Sequence, residues 1–125
     1  MISARAQQQL FLVFGFVLLA AVMYLSLSTT VLELPGDSNG RLAHVGAYAL
    51  MMFWFTRIYR GARSALIIGA GLLALGVLIE FLQGYGGHRD FEYADMAADA
   101  VGIALGWAAG WPLAMSRLAE ARQAS

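Results

Sequence analysis

Four long apolar stretches, separated by short polar segments, dominate the chain. They cover residues 10–32, 42–59, 64–83 and 93–115. A helix needs about 20 residues to cross the hydrocarbon core of a bilayer, and each stretch is close to that length. None of them shows the period-2 alternation that is typical of membrane β-strands. The pattern predicts an all-α fold, in which a single domain over residues 1–125 forms an integral membrane four-helix bundle.

The composition favours a membrane protein over a water-soluble one. Hydrophobic residues make up 60% of the chain and charged residues 13%, whereas soluble domains carry about 25% charged residues. The formal net charge is zero, so no overall field attracts nucleic acid, and we expect no nucleic-acid partner. The chain has no Cys, which excludes disulfides and thiolate chemistry, and we expect no cofactor.

The distribution of arginine predicts the orientation in the membrane. With the N-terminus inside, six Arg lie on the inner side, and only Arg41 and Arg89 lie on the outer side. Because positive residues concentrate in cytoplasmic segments, we expect both termini in the cytoplasm. The aromatic residues 53–55, close to Arg57, are typical of an anchor at the inner interface. An alternative is that the first stretch is a signal peptide cleaved near residues 26–28.

Polar pairs with helical spacing occur at the predicted outer ends of three helices. Two pairs are four residues apart and one pair is three apart, so the members of each pair share a helix face. Ionisable residues in membrane helices are costly, and they generally face the interior of the protein. The sequence therefore predicts a ligand-binding polar cluster, whose members are Arg41, His44 and Tyr48, Glu80 and Gln83, Asp95 and Asp99, and Arg89 in the loop between the third and fourth helices.

Other interpretations of these residues stay open. They are also compatible with ordinary interface positions, or with a structural pair in which Arg89 binds Glu80 or Asp95. Glu80, near the apolar boundary, is a candidate acid–base group, although no nucleophile pattern accompanies it. We expect no metal site, because His44, His88 and the carboxylates supply ligand types without a recognised spacing.

A pair of glycines in the fourth stretch predicts close helix packing. Gly102 and Gly106 form a GxxxG pattern, roughly on the stripe that carries Asp95 and Asp99. Small residues let membrane helices approach closely. Packing within the monomer is favoured over a dimer face, because the two Asp residues should point inward. A homo-oligomer is not excluded.

These motifs, taken in order, resemble those of the VanZ-like family of small bacterial membrane proteins. The resemblance covers about residues 10–115 and begins with the stretch 24–27, Tyr-Leu-Ser-Leu. The chain departs from the family pattern at Gly40, where the family usually has Asp, and at Asp99, where it usually has Asn. The remaining matches fall on Arg41, His44, Tyr48, Glu80, Gln83, Arg89, Asp95, Gly102 and Gly106.

The resemblance implies a multi-pass protein of the bacterial cytoplasmic (inner) membrane. The founding member of the family is associated with low-level resistance to the glycopeptide teicoplanin, which suggests a role at the cell envelope. The favoured hypothesis is that the chain binds or modulates a lipid or lipid-linked envelope component, such as a cell-wall precursor or an anionic lipid. In this hypothesis Arg89 faces phosphate, while His44, Tyr48 and Gln83 form hydrogen bonds.

Two further hypotheses belong to different functional classes. The chain could be a structural or assembly protein with no ligand, in which the polar cluster only holds the helices together. It could also be an intramembrane enzyme acting on a lipid-linked substrate, with Glu80 or Asp95 as the acid–base group. The sequence favours a non-enzymatic role, because it offers no nucleophile pattern.

Overall fold

The computed structural model describes residues 1–28, 40–87 and 92–125, except for the side chains of 112–119. Within this part of the chain the regular structure is entirely helical, which confirms the all-α class. The described residues form four helices, and their bounds are α1 Ala4–Leu27, α2 Arg41–Ile58, α3 Ala62–Tyr85 and α4 Tyr93–Ala124.

Two helices extend beyond the apolar stretches that predict them. α1 begins at Ala4 rather than at residue 10, because the Ser3 hydroxyl caps it and accepts a hydrogen bond from the Ala6 N–H at 3.2 Å. α4 continues to Ala124, past the predicted end at 115. Apolar stretches mark the part of a helix that avoids water, whereas Arg, Gln and Glu also have high helix propensity and extend it. Residues 29–32, predicted as the end of the first helix, lie outside the described residues.

The closest helix contact joins α2 and α4 through two glycines. A side-chain carbon at Gly102 would lie 3.0 Å from Tyr48 Cβ, and one at Gly106 would lie 2.9 Å from Met52 Cβ. Any larger residue at these positions would push the helices apart, so the missing side chains set the spacing between the two helices. This contact fixes which residues of α2 face which residues of α4, and it therefore positions the polar side chains described below.

The core is centred on α2, and α1 lies at its periphery. Met51 and Met52 of α2 are fully buried and pack with Tyr48. α1 contributes a single buried residue, Gly15. Most of the large apolar side chains of α1 are exposed on the surface of the protein, among them Leu10, Val13, Phe14, Phe16, Val17 and Tyr24.

Two of the described helices, α1 and α3, are long and apolar enough to cross a membrane. Their most apolar windows are only 11% and 28% buried, respectively, so these helices do not form the interior of the folded chain. α2 and α4 carry more polar residues, including His44 and Asp99, and do not meet the same criterion. That all four helices cross a membrane stays a prediction.

Candidate functional site: a buried polar cluster

Polar side chains from three helices meet where α1 and α3 end and α2 and α4 begin. We call this region the polar end. Glu80, Gln83, Asp95 and Asp99 are each at most 5% exposed there, although three of them are acidic. Burial of a charge is unfavourable unless partners compensate it, so the partners of each group decide what the site can do. The polar cluster comprises Arg41, His44, Tyr48, Glu80, Gln83, Glu92, Asp95 and Asp99.

The shortest contact between two side chains of the polar cluster joins α2 to α4. His44 Nδ1 and Asp99 Oδ1 are 2.7 Å apart, and in the tautomer protonated at Nδ1 the imidazole N–H donates to the carboxylate. The second oxygen of Asp99 lies against Gly76 of α3: a side-chain carbon at Gly76 would overlap Asp99 Oδ2 and lie 3.1 Å from the Tyr48 hydroxyl. Gly76 is therefore the residue that makes room for the Asp99 carboxylate and the Tyr48 hydroxyl between three helices.

Glu80 and Gln83 bind the ends of other helices. The backbone N–H of Glu92, the residue before α4, donates to Glu80 Oε1 at 2.7 Å. The Glu92 side chain forms no cap of its own, so Glu80 supplies the acceptor that the start of α4 requires. Gln83 Nε2 donates to the backbone carbonyl of Ser26, in the last turn of α1. One polar atom of each side chain is therefore occupied by a hydrogen bond that positions a neighbouring helix.

Arg41 is the cation at the outer edge of the polar cluster. Its guanidinium lies 3.4 Å from Glu92 Oε2, and its Nε lies 3.9 Å from Asp95 Oδ1. The Arg41 and Glu92 side chains are 45% and 46% exposed, respectively. They are consequently the members of the cluster that solvent or a ligand reaches first.

Asp95 is the buried carboxylate with an unsatisfied oxygen. Its Oδ2 lies 3.9 Å from His44 Nε2, and its Oδ1 is buried and accepts no hydrogen bond from the described residues. The Arg41 Nε at 3.9 Å is too far away for a hydrogen bond. A buried acceptor without a donor costs about 1–3 kcal/mol. Such a group is rare in folded proteins, so Asp95 Oδ1 is the atom of the polar cluster that most calls for an explanation.

The structure brings most of the predicted site residues together. His44, Tyr48, Asp95 and Asp99 lie within one cluster, with Glu80 and Gln83 beside them at the ends of neighbouring helices. Arg89 lies outside the described residues, so its predicted pairing with Glu80 or Asp95 stays a prediction.

Sequence reasoning did not select Glu92 as a site residue. It precedes α4 instead of lying on it, and the apolar stretch that predicts this helix begins only at residue 93. The signal that could have revealed it is its position three residues before Asp95, one helical turn away. Gly40, which precedes Arg41, has a φ of +72°. This left-handed conformation favours glycine, which gives a backbone reason for Gly where the family pattern has Asp.

The chemistry of the polar cluster favours acceptors over donors. Its titratable groups are four carboxyl groups, one guanidinium and one imidazole, besides the Tyr48 hydroxyl. Within the described residues, no group of three or more His, Cys, Asp or Glu side chains is arranged to hold a metal ion. A ligand group that matches the cluster is therefore an N–H donor, such as an ammonium or an amide.

A comparison of the chain with protein-family models, curated proteins and solved structures finds no match.

Proposed function

We propose that the chain is a multi-pass membrane protein whose polar cluster binds the headgroup of a lipid or lipid-linked cell-envelope component. The membrane setting is supported by α1 and α3, which are long and apolar enough to span a bilayer. It is also supported by the exposed apolar side chains of α1, because a water-soluble monomer rarely exposes so large a patch. The excess of Arg at the end opposite the polar cluster supports an orientation with both termini in the cytoplasm.

α2 and α4 cross the membrane with the other two helices in this proposal. α2 has 18 residues and α4 has 32. At a rise of 1.5 Å per residue, a span requires about 17–25 residues, or more if the helix is tilted. Both helices are long enough. Their polar residues are compatible with a span because Asp95 and Asp99 are buried against other helices instead of facing lipid.

The observation that carries the binding proposal is the unsatisfied oxygen of Asp95. Each of the other buried acids has a hydrogen bond to a protein group: Asp99 with His44, and Glu80 with the Glu92 backbone. Asp95 Oδ1 has none among the described residues. Arg41, half exposed beside it, is long and flexible, so a movement of this side chain would open a path to the carboxylate.

The preferred ligand combines an N–H donor with a phosphate. The donor binds Asp95 Oδ1, and the phosphate lies beside the Arg41 guanidinium, which matches phosphate geometry. Aminophospholipids and peptide-bearing lipid-linked wall precursors both have this combination of groups. The resemblance to VanZ-like proteins agrees with an envelope ligand, and a link to teicoplanin resistance is part of the same proposal.

A structural role is the second candidate, and the ion pairs of Arg41 favour it. Arg41 connects the start of α2 to Glu92 and Asp95 at the start of α4. In this alternative Arg41 is the sufficient partner of Asp95, and no ligand is needed. The two candidates predict different effects of Asp95→Asn on lipid binding. If the cluster binds a headgroup through the carboxylate, the variant loses a headgroup preference that wild type has. If the cluster is purely structural, neither protein has such a preference.

Native mass spectrometry of the purified protein tests the proposal. The protein is released from nanodiscs that contain equal amounts of phosphatidylethanolamine and phosphatidylcholine, which share a phosphate but differ in that only the former has ammonium N–H groups. We expect wild type to retain phosphatidylethanolamine preferentially, and Asp95→Asn to lose the preference. Glu120→Gln is the matched control, because it removes an exposed carboxylate of α4 outside the cluster. Equal retention of the two lipids by wild type would contradict the proposal.

The orientation has a separate test, which uses the absence of Cys from the chain. Tyr85 at the polar end is 91% exposed, and Ser125 is the exposed C-terminal residue. A membrane-impermeant maleimide should label Tyr85→Cys in intact cells. It should label Ser125→Cys only after the inner membrane has been permeabilised. Labelling of Ser125→Cys in intact cells would contradict the proposed topology.

A further inference from the structure

The end of the protein opposite the polar cluster contains a cleft between α1 and α2. It lies where α1 begins and α2 ends, which we call the basic end. Its volume is about 340 Å³, within the range of about 300–1,000 Å³ that is usual for ligand pockets. We call it the basic cleft, and the residues that matter for its chemistry are Gln7, Gln8, Phe11, Arg57, Ile58 and Arg60.

The polar side chains that line the basic cleft are all hydrogen-bond donors. The guanidinium groups of Arg57 and Arg60 donate only, and the amides of Gln7 and Gln8 each offer an NH₂ group. No carboxylate lines the cleft, and within the described residues neither Arg forms an ion pair. Two guanidinium groups without a carboxylate beside them favour a ligand that is negatively charged and accepts hydrogen bonds.

Aromatic contacts hold both walls of the basic cleft in place. The Arg57 guanidinium lies 5.6 Å from the centre of the Phe53 ring, a cation–π contact that restricts the side chain. On the other wall, Trp54 Nε1 donates to the Phe11 carbonyl at 2.9 Å, and the rings of Trp54 and Phe11 stack with centroids 5.1 Å apart. The cleft is therefore a built feature of the α1–α2 contact and not a gap between loose side chains.

We propose that the basic cleft binds a phosphate group. Arginine forms paired hydrogen bonds to phosphate oxygens, and basic pockets between helices at the cytoplasmic face of a membrane bind anionic headgroups. Phe11 and Ile58 supply an apolar wall beside the two arginines, as the boundary between a headgroup and its acyl chains requires. The phosphate comes either from an anionic phospholipid or from a free phosphate compound. This site is separate from the polar cluster: it rests on the proposed membrane setting and orientation, but not on ligand binding by the polar cluster.

Ligand-dependent thermal unfolding in detergent micelles tests the inference. A ligand that binds only the folded state raises the midpoint of unfolding by an amount that grows with the logarithm of its concentration relative to its Kd. The protein is titrated with phosphatidylglycerol in one arm and with inorganic phosphate in the other. Wild type should be stabilised by phosphatidylglycerol, and the double variant Arg57→Gln, Arg60→Gln should need at least about tenfold more lipid for the same shift.

The matched control is Arg63→Gln, Arg122→Gln, which removes the same charge from exposed positions that do not line the cleft. It should respond like wild type. If both double variants respond equally weakly, attraction is diffuse and the site is refuted, as it is if neither variant differs from wild type. A response of wild type to inorganic phosphate alone, lost in the Arg57, Arg60 variant, supports the site and identifies a free phosphate compound as its source.

A second variant keeps the test informative if loss of the two arginines prevents folding. Gln7→Ala, Gln8→Ala changes exposed residues of α1 and preserves helix propensity, so the fold should be retained. We expect its response to phosphatidylglycerol to weaken by about threefold or more, because two neutral donors are lost. The single variant Arg57→Gln is measured in the same way. If it folds, and if both it and the Gln7→Ala, Gln8→Ala variant respond to phosphatidylglycerol like wild type, the proposal is overturned.

Discussion

The two ends of the four helices differ in the burial and the pairing of their charged residues. At the polar end, acidic residues are buried and connected across helices, as in the 2.7 Å contact between His44 and Asp99. At the basic end, Arg60 is exposed, Arg57 is half-buried against Phe53, and neither forms an ion pair within the described residues. The acids at the polar end must therefore be satisfied by donors of the protein or of a ligand, whereas the arginines at the basic end can use solvent.

This difference has a structural origin in how closely the helices approach. At the polar end, Gly102 of α4 lies directly against the backbone of α2, at the Val45 carbonyl. Towards the basic end, a side-chain carbon at Gly110 would lie 3.3 Å from Thr56 Cβ, which is a looser contact. Tight packing excludes water and makes an unsatisfied polar atom costly, so the buried acids at the polar end depend on the partners that they have there. The following predictions test this comparison, beginning with the largest expected effect.

Removal of the buried acid that binds His44 should have the largest effect on stability. Asp99→Ala leaves the half-buried His44 ring without its closest partner and creates a void beside Gly76. We expect the free energy of unfolding to fall by about 3 kcal/mol, as measured by SDS titration in mixed micelles. Glu120→Ala, at an exposed position of α4, is the control and should have little effect. A loss of equal size in the control would remove the distinction between buried and exposed acids.

The tightness of the α2–α4 contact should differ between the two ends. Gly102→Ala places a methyl group 3.0 Å from Tyr48 Cβ and closer still to the Val45 carbonyl, so we expect a loss of about 2 kcal/mol. Gly110→Ala meets Thr56 at 3.3 Å, so it should cost less than Gly102→Ala. The same SDS titration measures both variants. If Gly110→Ala is the more destabilising change, the proposed difference in packing between the ends is wrong.

The attachment of α1 should depend on the indole hydrogen bond at the basic end. Trp54→Phe keeps an aromatic ring beside Phe11 but removes the N–H that donates to the Phe11 carbonyl at 2.9 Å. A single neutral hydrogen bond contributes about 1 kcal/mol, so we expect a loss of that size. Protease cleavage within α1 in detergent should accelerate accordingly. An unchanged cleavage rate would show that ring stacking alone holds α1.

The exposed ion pair at the edge of the polar cluster should have the smallest effect. Arg41→Gln removes the contacts to Glu92 and Asp95, but the Arg41 side chain is 45% exposed. Exposed ion pairs contribute about 0–1 kcal/mol, so the midpoint of thermal unfolding should barely change. A large loss of stability would favour the structural role of the cluster over the binding role.

Sequence reasoning could find the polar side chains that lie on helices, because i, i+4 spacing follows directly from helix geometry. His44 and Tyr48, and Asp95 and Asp99, were selected on that basis, and the structure brings them together. It could not find that Arg41 pairs with Glu92, because 51 residues separate the two positions and only helix packing brings them together. It could not find the role of Gly76 beside Asp99 either, because that role depends on the orientation of α3.

The basic cleft shows the same limit. The sequence indicates an interfacial anchor near Arg57, which is a statement about one helix. The cleft exists because Trp54 aligns α1 with α2 through the Phe11 carbonyl, and this alignment brings Gln7 and Gln8 beside Arg57 and Arg60. No periodicity within either helix encodes that register.

The most direct test of the central claim measures the thermal unfolding of wild type and Asp95→Asn in micelles containing either phosphatidylethanolamine or phosphatidylcholine. Without lipid, Asp95→Asn should be as stable as wild type, or more stable by about 1 kcal/mol, because the amide is neutral and its burial is less costly than that of a carboxylate with an unsatisfied oxygen. Phosphatidylethanolamine should stabilise wild type more than phosphatidylcholine does, and this difference should vanish in the variant. An equal response to both lipids in wild type, or the same preference in Asp95→Asn, would contradict the assignment of Asp95 as the ligand-binding group.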